Sequence, residues 1–413
     1  MLRLCALTQQ PVEQLTPVLQ RLQPGDGDGI RLGPAAFMEG TSSQVCLDMV
    51  CSIAAVYAAD PEQRELPPEV CVAVNTIMEQ FALQLQLGRG QHQQFLGAIS
   101  AHSTLRLRPE ALLRHYQAEP ACVSFDDVTM AAAAEAAGRL AQLGNPPTCI
   151  DAQQGLHLLV TALIARVADE LPRLKLLWPG PDWETPYPWQ PDRATWLQQQ
   201  EPVLQQHAFQ AVSEVCTAAA NLHLTSSQDV LASLRRLLQW VVLQRPAKMS
   251  VEQLQGVWLL TKTMEWEECD EDLLGPALQQ DCISARQQAV VDSKPSGLAC
   301  HVWWELLAQL PPGSYKEGTH PELGWQHGDV AADIRLQTPG GSDIVVQVDD
   351  VRIHHLNGGG GLDGTTSWRN SHLQSEGCSL VSVLSNQLPE LDDSTALRGL
   401  LNRLFGGRLR FGM

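Results

Sequence analysis

The chain is short of positive charge, of aromatic rings and of long apolar runs. Among its 413 residues, 28 are Lys or Arg and 46 are Asp or Glu, for a formal net charge of −18. That balance excludes a protein that coats nucleic acid along its whole length and leaves only a local basic groove for phosphate. No apolar run reaches the roughly 18 residues that a membrane helix needs, so no membrane insertion is expected. Eleven Cys are scattered without a CxxC pair and without a spaced His partner. This argues against a zinc site and a disulfide framework and reads as reduced intracellular thiols. The first residues, Met1-Leu2-Arg3-Leu4-Cys5, soon meet Gln, Pro and Glu. They read as neither a signal peptide nor a clear transit peptide. No P-loop, nucleophile elbow, kinase signature or strand-following GxGxxG is present.

What is there is mostly helical pattern. Hydrophobic content is 44%, ordinary for a globular chain. Val12, Leu15, Val18, Leu19 and Leu22 have helical spacing, and a Gly-Asp-Gly-Asp-Gly loop follows at 25–29. That loop lacks the third carboxylate and closing Glu of a calcium loop, so a solvated loop is expected. From Ser42 the helices run in series. Leu47, Val50, Cys51, Ala54 and Ala55 share a face, and Asp60-Pro61 ends that helix. Pro67-Pro68 starts the next, Gln91 to His102 is a third, and Pro109 restarts the chain. Ser124-Phe125-Asp126-Asp127 is expected to cap an Ala-rich helix running to Leu143. Helical faces then recur at Leu156–Ile164, from about Ala194 to Leu222, at Val230–Val242 and at Ser250–Trp266. Alternate helices end roughly forty residues apart, the signature of a helical-repeat array with two helices per unit. An insertion at 172–196, rich in Pro and carrying Trp178, Trp183, Trp189 and Trp196, doubles one gap. It reads as a loop pinned by its rings, with a base-stacking platform as the alternative.

The C-terminal stretch changes character. Val330 to Leu336 and Ile344 to Asp350 are β-rich runs joined through Thr338-Pro339-Gly340-Gly341-Ser342, which predicts a hairpin. A glycine run, Asn357 to Gly361, leads to a short helix over Thr365–Ser375 that Gly377 terminates. Leu380-Val381-Ser382-Val383-Leu384 reads as a buried strand. A last helix starting at Ser394 places Leu397, Leu400, Leu401 and Leu404 on one face.

This stretch resembles the RAP domain, the C-terminal module of octotricopeptide-repeat and FAST-kinase-like proteins. The resemblance puts Asp333 in the role of the family's first-strand Asp, and Gln347-Val348-Asp349 in the place of its Glu-Val-Asp. Asp350-Val351 stands where Gly-Pro is usual, and His354 or His355 sits one or two positions late. Thr366, Arg369, Leu373, Gly377 and the run Leu380 to Val383 match. The segments 250–260 and 140–147 look like octotricopeptide-type units. The expected fold is therefore mainly α: a degenerate helical-repeat array followed by a small C-terminal α/β domain resembling the restriction-endonuclease fold. The expected boundaries are an N-terminal helix and loop at 1–41, the array at 42–285, a connector at 286–327 and the RAP-like domain at 328–413.

The resemblance implies an organellar RNA-binding protein, in chloroplast or mitochondrion, acting in RNA stability, processing, rRNA maturation or translation. A helical scaffold within an organellar ribonucleoprotein or ribosome is the alternative, and an RNA endonuclease the second alternative. Nucleases of the resembled fold hold Mg²⁺ between carboxylates and use a Lys. Here Asp333, Gln347 and Asp349 form a vestigial version, with an amide at the middle position and no Lys to stabilise developing charge. No cofactor is expected, and Mg²⁺ enters only with a nuclease. Candidate RNA contacts are Arg352, His354, His355, Arg369, Arg398 and Arg403, with Arg408 and Arg410 beyond them. Such cations position an RNA without specifying its sequence. The partners implied are organellar mRNA or rRNA and other ribonucleoprotein subunits.

Overall fold

The computed structural model describes residues 42–59, 65–85, 91–145, 149–174, 191–243, 249–267, 274–292, 295–310, 314–327, 330–350, 354–357, 361–388 and 394–405. The expected helix at 11–22, the loop at 25–29 and the Trp-bearing centre of the insertion lie outside them. The described chain is mainly helical and ends in a small mixed sheet. It divides into a helical unit, Met1–Cys282 with Leu356–Gly364, and an α/β unit, Ile283–His355 with Thr365–Met413. Among the described residues, no helix is long and apolar enough to cross a membrane.

The helical unit contains α1 (Ser43–Ala58), α2 (Pro68–Gln84), α3 (Gln91–Thr104), α4 (Glu110–Ala118), α5 (Met130–Leu143), α6 (Ile150–Leu174), α7 (Pro191–Asn221), α8 (Gln228–Leu243), α9 (Val251–Trp266) and the first part of α10 (Gly275–Asp292). Successive helices alternate between two rows. In one row α1 packs on α3, α3 on α5, α5 on α7 and α7 on α9; in the other α2 packs on α4, α4 on α6 and α6 on α8. Each helix needs this because a single apolar stripe is buried only by neighbours on both sides.

Local chemistry sets the boundaries. Ser42 caps α1 through Val45 N–H, and Ser250 forms a reciprocal capping box with Gln253 at α9. The cap of α5 is Thr129, whose hydroxyl accepts from Ala132 N–H, and not the Ser124–Asp127 segment. Ser124 instead accepts from Asp126 N–H and donates to the Asp126 carboxylate. That local turn competes with helix initiation. Close backbone approach fixes the row spacing at two glycines. A Cβ on Gly155 would lie 2.0 Å from Leu113 O, and one on Gly256 2.4 Å from Ser213 O.

One buried titratable group stands out within α3. His102 is fully buried, and burial drives its pKa down to about 4, partly opposed by a backbone hydrogen bond at Leu107. The folded value therefore lies below the unfolded value of about 6.5. Between those values the unfolded chain takes up a proton that the folded chain refuses, so stability falls as pH drops through this window. The loss accumulates to about 3 kcal/mol by pH ~4. Urea unfolding of wild type and His102→Leu across this range checks it. The gap between the two should grow toward low pH, and a parallel pair of curves would refute the assignment.

The α/β unit contains α11 (Gly297–Gln309), β1 (Glu322–His327), β2 (Val330–Gln337), β3 (Asp343–Asp349), α12 (Gly364–Ser375, whose first residue belongs to the helical unit), β4 (Ser379–Leu384) and α13 (Ser394–Phe405). The sheet order is β1-β2-β3-β4, antiparallel except for the parallel β3–β4 pair. The β2–β3 turn closes with Thr338 N–H donating to Ser342 O and with Gly341 at φ 85. One sheet face carries the core: Ile334, Leu336, Ile344, Val346, Val348, Val381 and Val383 against Ala299, Val302 and Leu306 of α11 and Leu400, Leu401 and Phe405 of α13. Gly377, at φ 82, ends α12 as expected: its N–H donates to Gln374 O and Cys378 N–H donates to Leu373 O, a Schellman closure.

The stretch expected as a connector holds α11 and a fourth strand. Glu322–His327 contains no β-branched residue and places Gly324 at φ 65. It has little strand propensity of its own. As an edge strand it is set by pairing with β2, which is a tertiary effect.

Candidate functional site

The β2–β3 register sets Ile334 opposite Val346, and one step further Asp333 lies opposite Gln347. Side chains two apart on a strand share a face, so Gln347 and Asp349 stand together. All three are on the face opposite the apolar core, because Ile334, Val346 and Val348 belong to that core. Helix α12 brings Arg369, Asn370 and Thr366 toward this face, and β4 brings Ser382.

Asp349 is fully buried. Its Oδ1 accepts from the Arg369 guanidinium at 2.7 Å and its Oδ2 from the Ser382 hydroxyl at 2.7 Å. Both carboxylate oxygens thus have strong donors. Arg369 also donates to Asn370 Oδ1. Asp333 accepts from Val348 N–H at 2.8 Å. Burial raises its pKa and the charge of Asp349 adds to this, while the Val348 N–H, Arg369 and His354 pull it down. Gln347 is 1% exposed, and its amide nitrogen has no partner among the described residues. His354 Nδ1 meets the Thr366 hydroxyl at 2.9 Å, and the Asp350 carboxylate accepts from Ser385. The result is a polar layer between sheet and helix in which a guanidinium neutralises the buried acid.

This layer does not suit a divalent cation. A Mg²⁺ site needs carboxylate oxygens free to coordinate and room for several waters. Asp349 has neither, and Gln347 supplies an amide in place of an acid. Among the described residues, no three of His, Cys, Asp and Glu are grouped to hold a metal.

The residues nominated from sequence as RNA contacts separate. Arg369 is paired with Asp349, and its side chain is 22% exposed. His354 is held by Thr366. His355 is partly buried beside it. Arg403 is exposed on α13. Arg352, Arg408 and Arg410 lie outside the described residues, as does the side chain of Arg398. The glycine run expected to offer amides to a phosphate is engaged at both described ends. Asn357 N–H donates to Arg106 O, and Gly361 O accepts from Leu356 N–H.

Several described cations of the helical unit are also internally matched. Arg114 pairs with Glu79, Arg139 with Glu135, Arg166 with Glu170, Arg236 with Asp169 and Lys262 with Glu265. Ser382 and Asn370 escaped the sequence reading as site residues. For Ser382 a signal existed: a lone hydroxyl inside Leu-Val-Ser-Val-Leu asks for a buried acceptor.

Compared with protein-family models, the chain matches none. Compared with curated proteins, it matches none either.

Proposed function

We propose that the chain is a non-nucleolytic RNA-binding protein of the RAP-domain, octotricopeptide-repeat type. On this reading it works in a chloroplast or mitochondrion on RNA stability, processing, rRNA maturation or translation. One observation carries it: two rows of stacked helices are followed by a hairpin–helix–parallel strand–helix unit in which Asp333, Gln347 and Asp349 share one face. Neither comparison with known proteins adds support. A likeness of this unit to the restriction-endonuclease fold is part of the same proposal. The absence of cleavage rests on Arg369 and Ser382, which occupy the oxygens of Asp349.

A second reading, a helical scaffold within an organellar ribonucleoprotein, draws on a specific observation. Arg369 and many array cations already have acidic partners, so fewer charges remain for phosphate. Binding to single-stranded RNA separates the two. A labelled RNA of about 30 nucleotides is titrated with the full chain over a range of salt. Three or four phosphate contacts predict a slope of log affinity against log salt of roughly −2 to −3. Arg403→Ala should shallow it by about 0.7. No binding at low salt would favour the scaffold. The same RNA should survive incubation with Mg²⁺ or Mn²⁺. Cleavage that vanishes in Asp349→Ala would overturn the non-nucleolytic assignment.

A further inference from the structure

Between α2 and α4 the helical unit holds a groove of about 470 Å³, a volume in the range of ligand sites. Its floor is apolar. Leu66 and Leu107 are buried there, and Val72 on the α2 wall is 50% exposed. Its rim is acidic, with Glu65, Glu79 and Glu110.

Two cations lie beside these acids, and both are engaged. Arg114 stands 3.5 Å from Glu79. Arg108 donates to the carbonyls of Leu143, at 2.9 Å, and Leu362, at 3.4 Å. The carboxylates of Glu65 and Glu110 have no hydrogen bond or ion pair to a described residue. The negative field reaches the floor. The Cys71 thiol is pushed up to about 11, first by burial and then by the charges of Glu65 and Glu69.

We infer that this groove docks an extended basic segment of a partner protein, one that sets Lys or Arg beside an apolar side chain. The apolar side chain covers Val72, which is half exposed to water, and closes over the buried Leu66 and Leu107. The flanking cations pair with Glu65 and with Glu110, which already feels the charge of Arg108 without a salt bridge to it. A phosphate backbone is repelled by the same rim, so a peptide and not an RNA is the occupant. The proposal stands apart from the RNA reading in that it uses no phosphate contact.

The test uses the full chain and a fluorescein-labelled, acetylated octapeptide of alternating Arg and Leu, followed by anisotropy. Saturable one-to-one binding is expected. Glu65→Gln with Glu110→Gln should weaken it roughly tenfold, and Val72→Arg should abolish it. Glu65 and Val72 are exposed and Glu110 is partly so, and folding of each variant is checked by circular dichroism. Glu135→Gln with Glu252→Gln, two acids outside the groove, should leave the affinity unchanged. An equal loss in that control pair would mean a general attraction to an acidic chain and would overturn the site. So would an absence of binding, or displacement of the peptide by single-stranded RNA from a common site.

Discussion

Arg369→Ala should destabilise the α/β unit by about 3–5 kcal/mol, the cost of leaving a buried charge without its partner. The reason lies in the asymmetry of the pair. Asp349 is fully buried, whereas the Arg369 side chain is 22% exposed, so removing the arginine strands the group that cannot reach water. Ser382 still donates to Asp349 Oδ2, but a hydroxyl brings no charge. Asp333 suffers as well, since Arg369 is among the groups that hold its raised pKa down. Two further measurements separate this from lost packing. The deficit should narrow as the pH falls, because Asp333, whose raised pKa Arg369 helps to hold down, loses its charge on protonation. For Asp333 the sign agrees: a folded pKa above the unfolded one contributes stability at low pH that is lost as pH rises. Second, Arg369→Met with Asp349→Leu should cost far less than Arg369→Ala, since replacing both partners by apolar groups removes the stranded charge. A single variant no worse than the double would sink the argument.

That pair also marks where the sequence stops being legible. Helical stripes, helix starts at Ser42 and Ser250, the Pro-Gly-Gly turn and Gly377 after α12 are local signals, and each resides in a few adjacent residues. Asp333, Gln347 and Asp349 could be placed on one face from the strand period and the hairpin alone. What could not be read was what α12 would bring across to them. Arg369 looks the same in sequence whether it faces phosphate or a buried carboxylate, and only the crossover from β3 through α12 to β4 decides. Strand β1 was hidden for a related reason, since its conformation comes from a partner strand and not from its own residues. The cap of α5 was misplaced by five residues or fewer because Ser124, Asp126 and Thr129 all carry capping chemistry. The two-row packing followed from periodicity, but the tight contacts at Gly155 and Gly256 did not. A glycine within a helix announces a cost of about 1 kcal/mol without naming the backbone it lets approach.

Asn357→Ala should destabilise the helical unit by about 4 kcal/mol, a loss comparable to that at Arg369, and from a residue that sequence reading set at the start of a glycine run. Asn357 is 7% exposed. Its Oδ1 accepts from Leu66 N–H at 3.1 Å, and its Nδ2 donates to Leu105 O at 2.7 Å and to the Tyr57 hydroxyl at 3.4 Å. Its own N–H donates to Arg106 O, where Arg106 holds the uncommon φ of 51. The side chain therefore completes two backbone groups at helix boundaries, one before α2 and one after α3. Truncation leaves both unpaired, and each buried orphan costs about 1–3 kcal/mol. Adjacent contacts within the same unit cannot compensate: Asp363 is 3.7 Å from Arg106, and Gly364 is pressed so close to Ala141 O that a Cβ would lie 1.8 Å from it. Asn357→Asp should be worse at neutral pH, because it turns an acceptor toward Leu105 O and buries a charge, and should recover part of the loss when acid protonates it. Tyr57→Phe should cost less than about 1 kcal/mol, as its contact is the longest of the three. Amide hydrogen exchange in the full chain gives the readout. Protection at Leu66 and through the first turn of α2 should fall in Asn357→Ala while β2 and β3 keep theirs. Unchanged protection at Leu66 would show that this side chain does not hold the helix ends together.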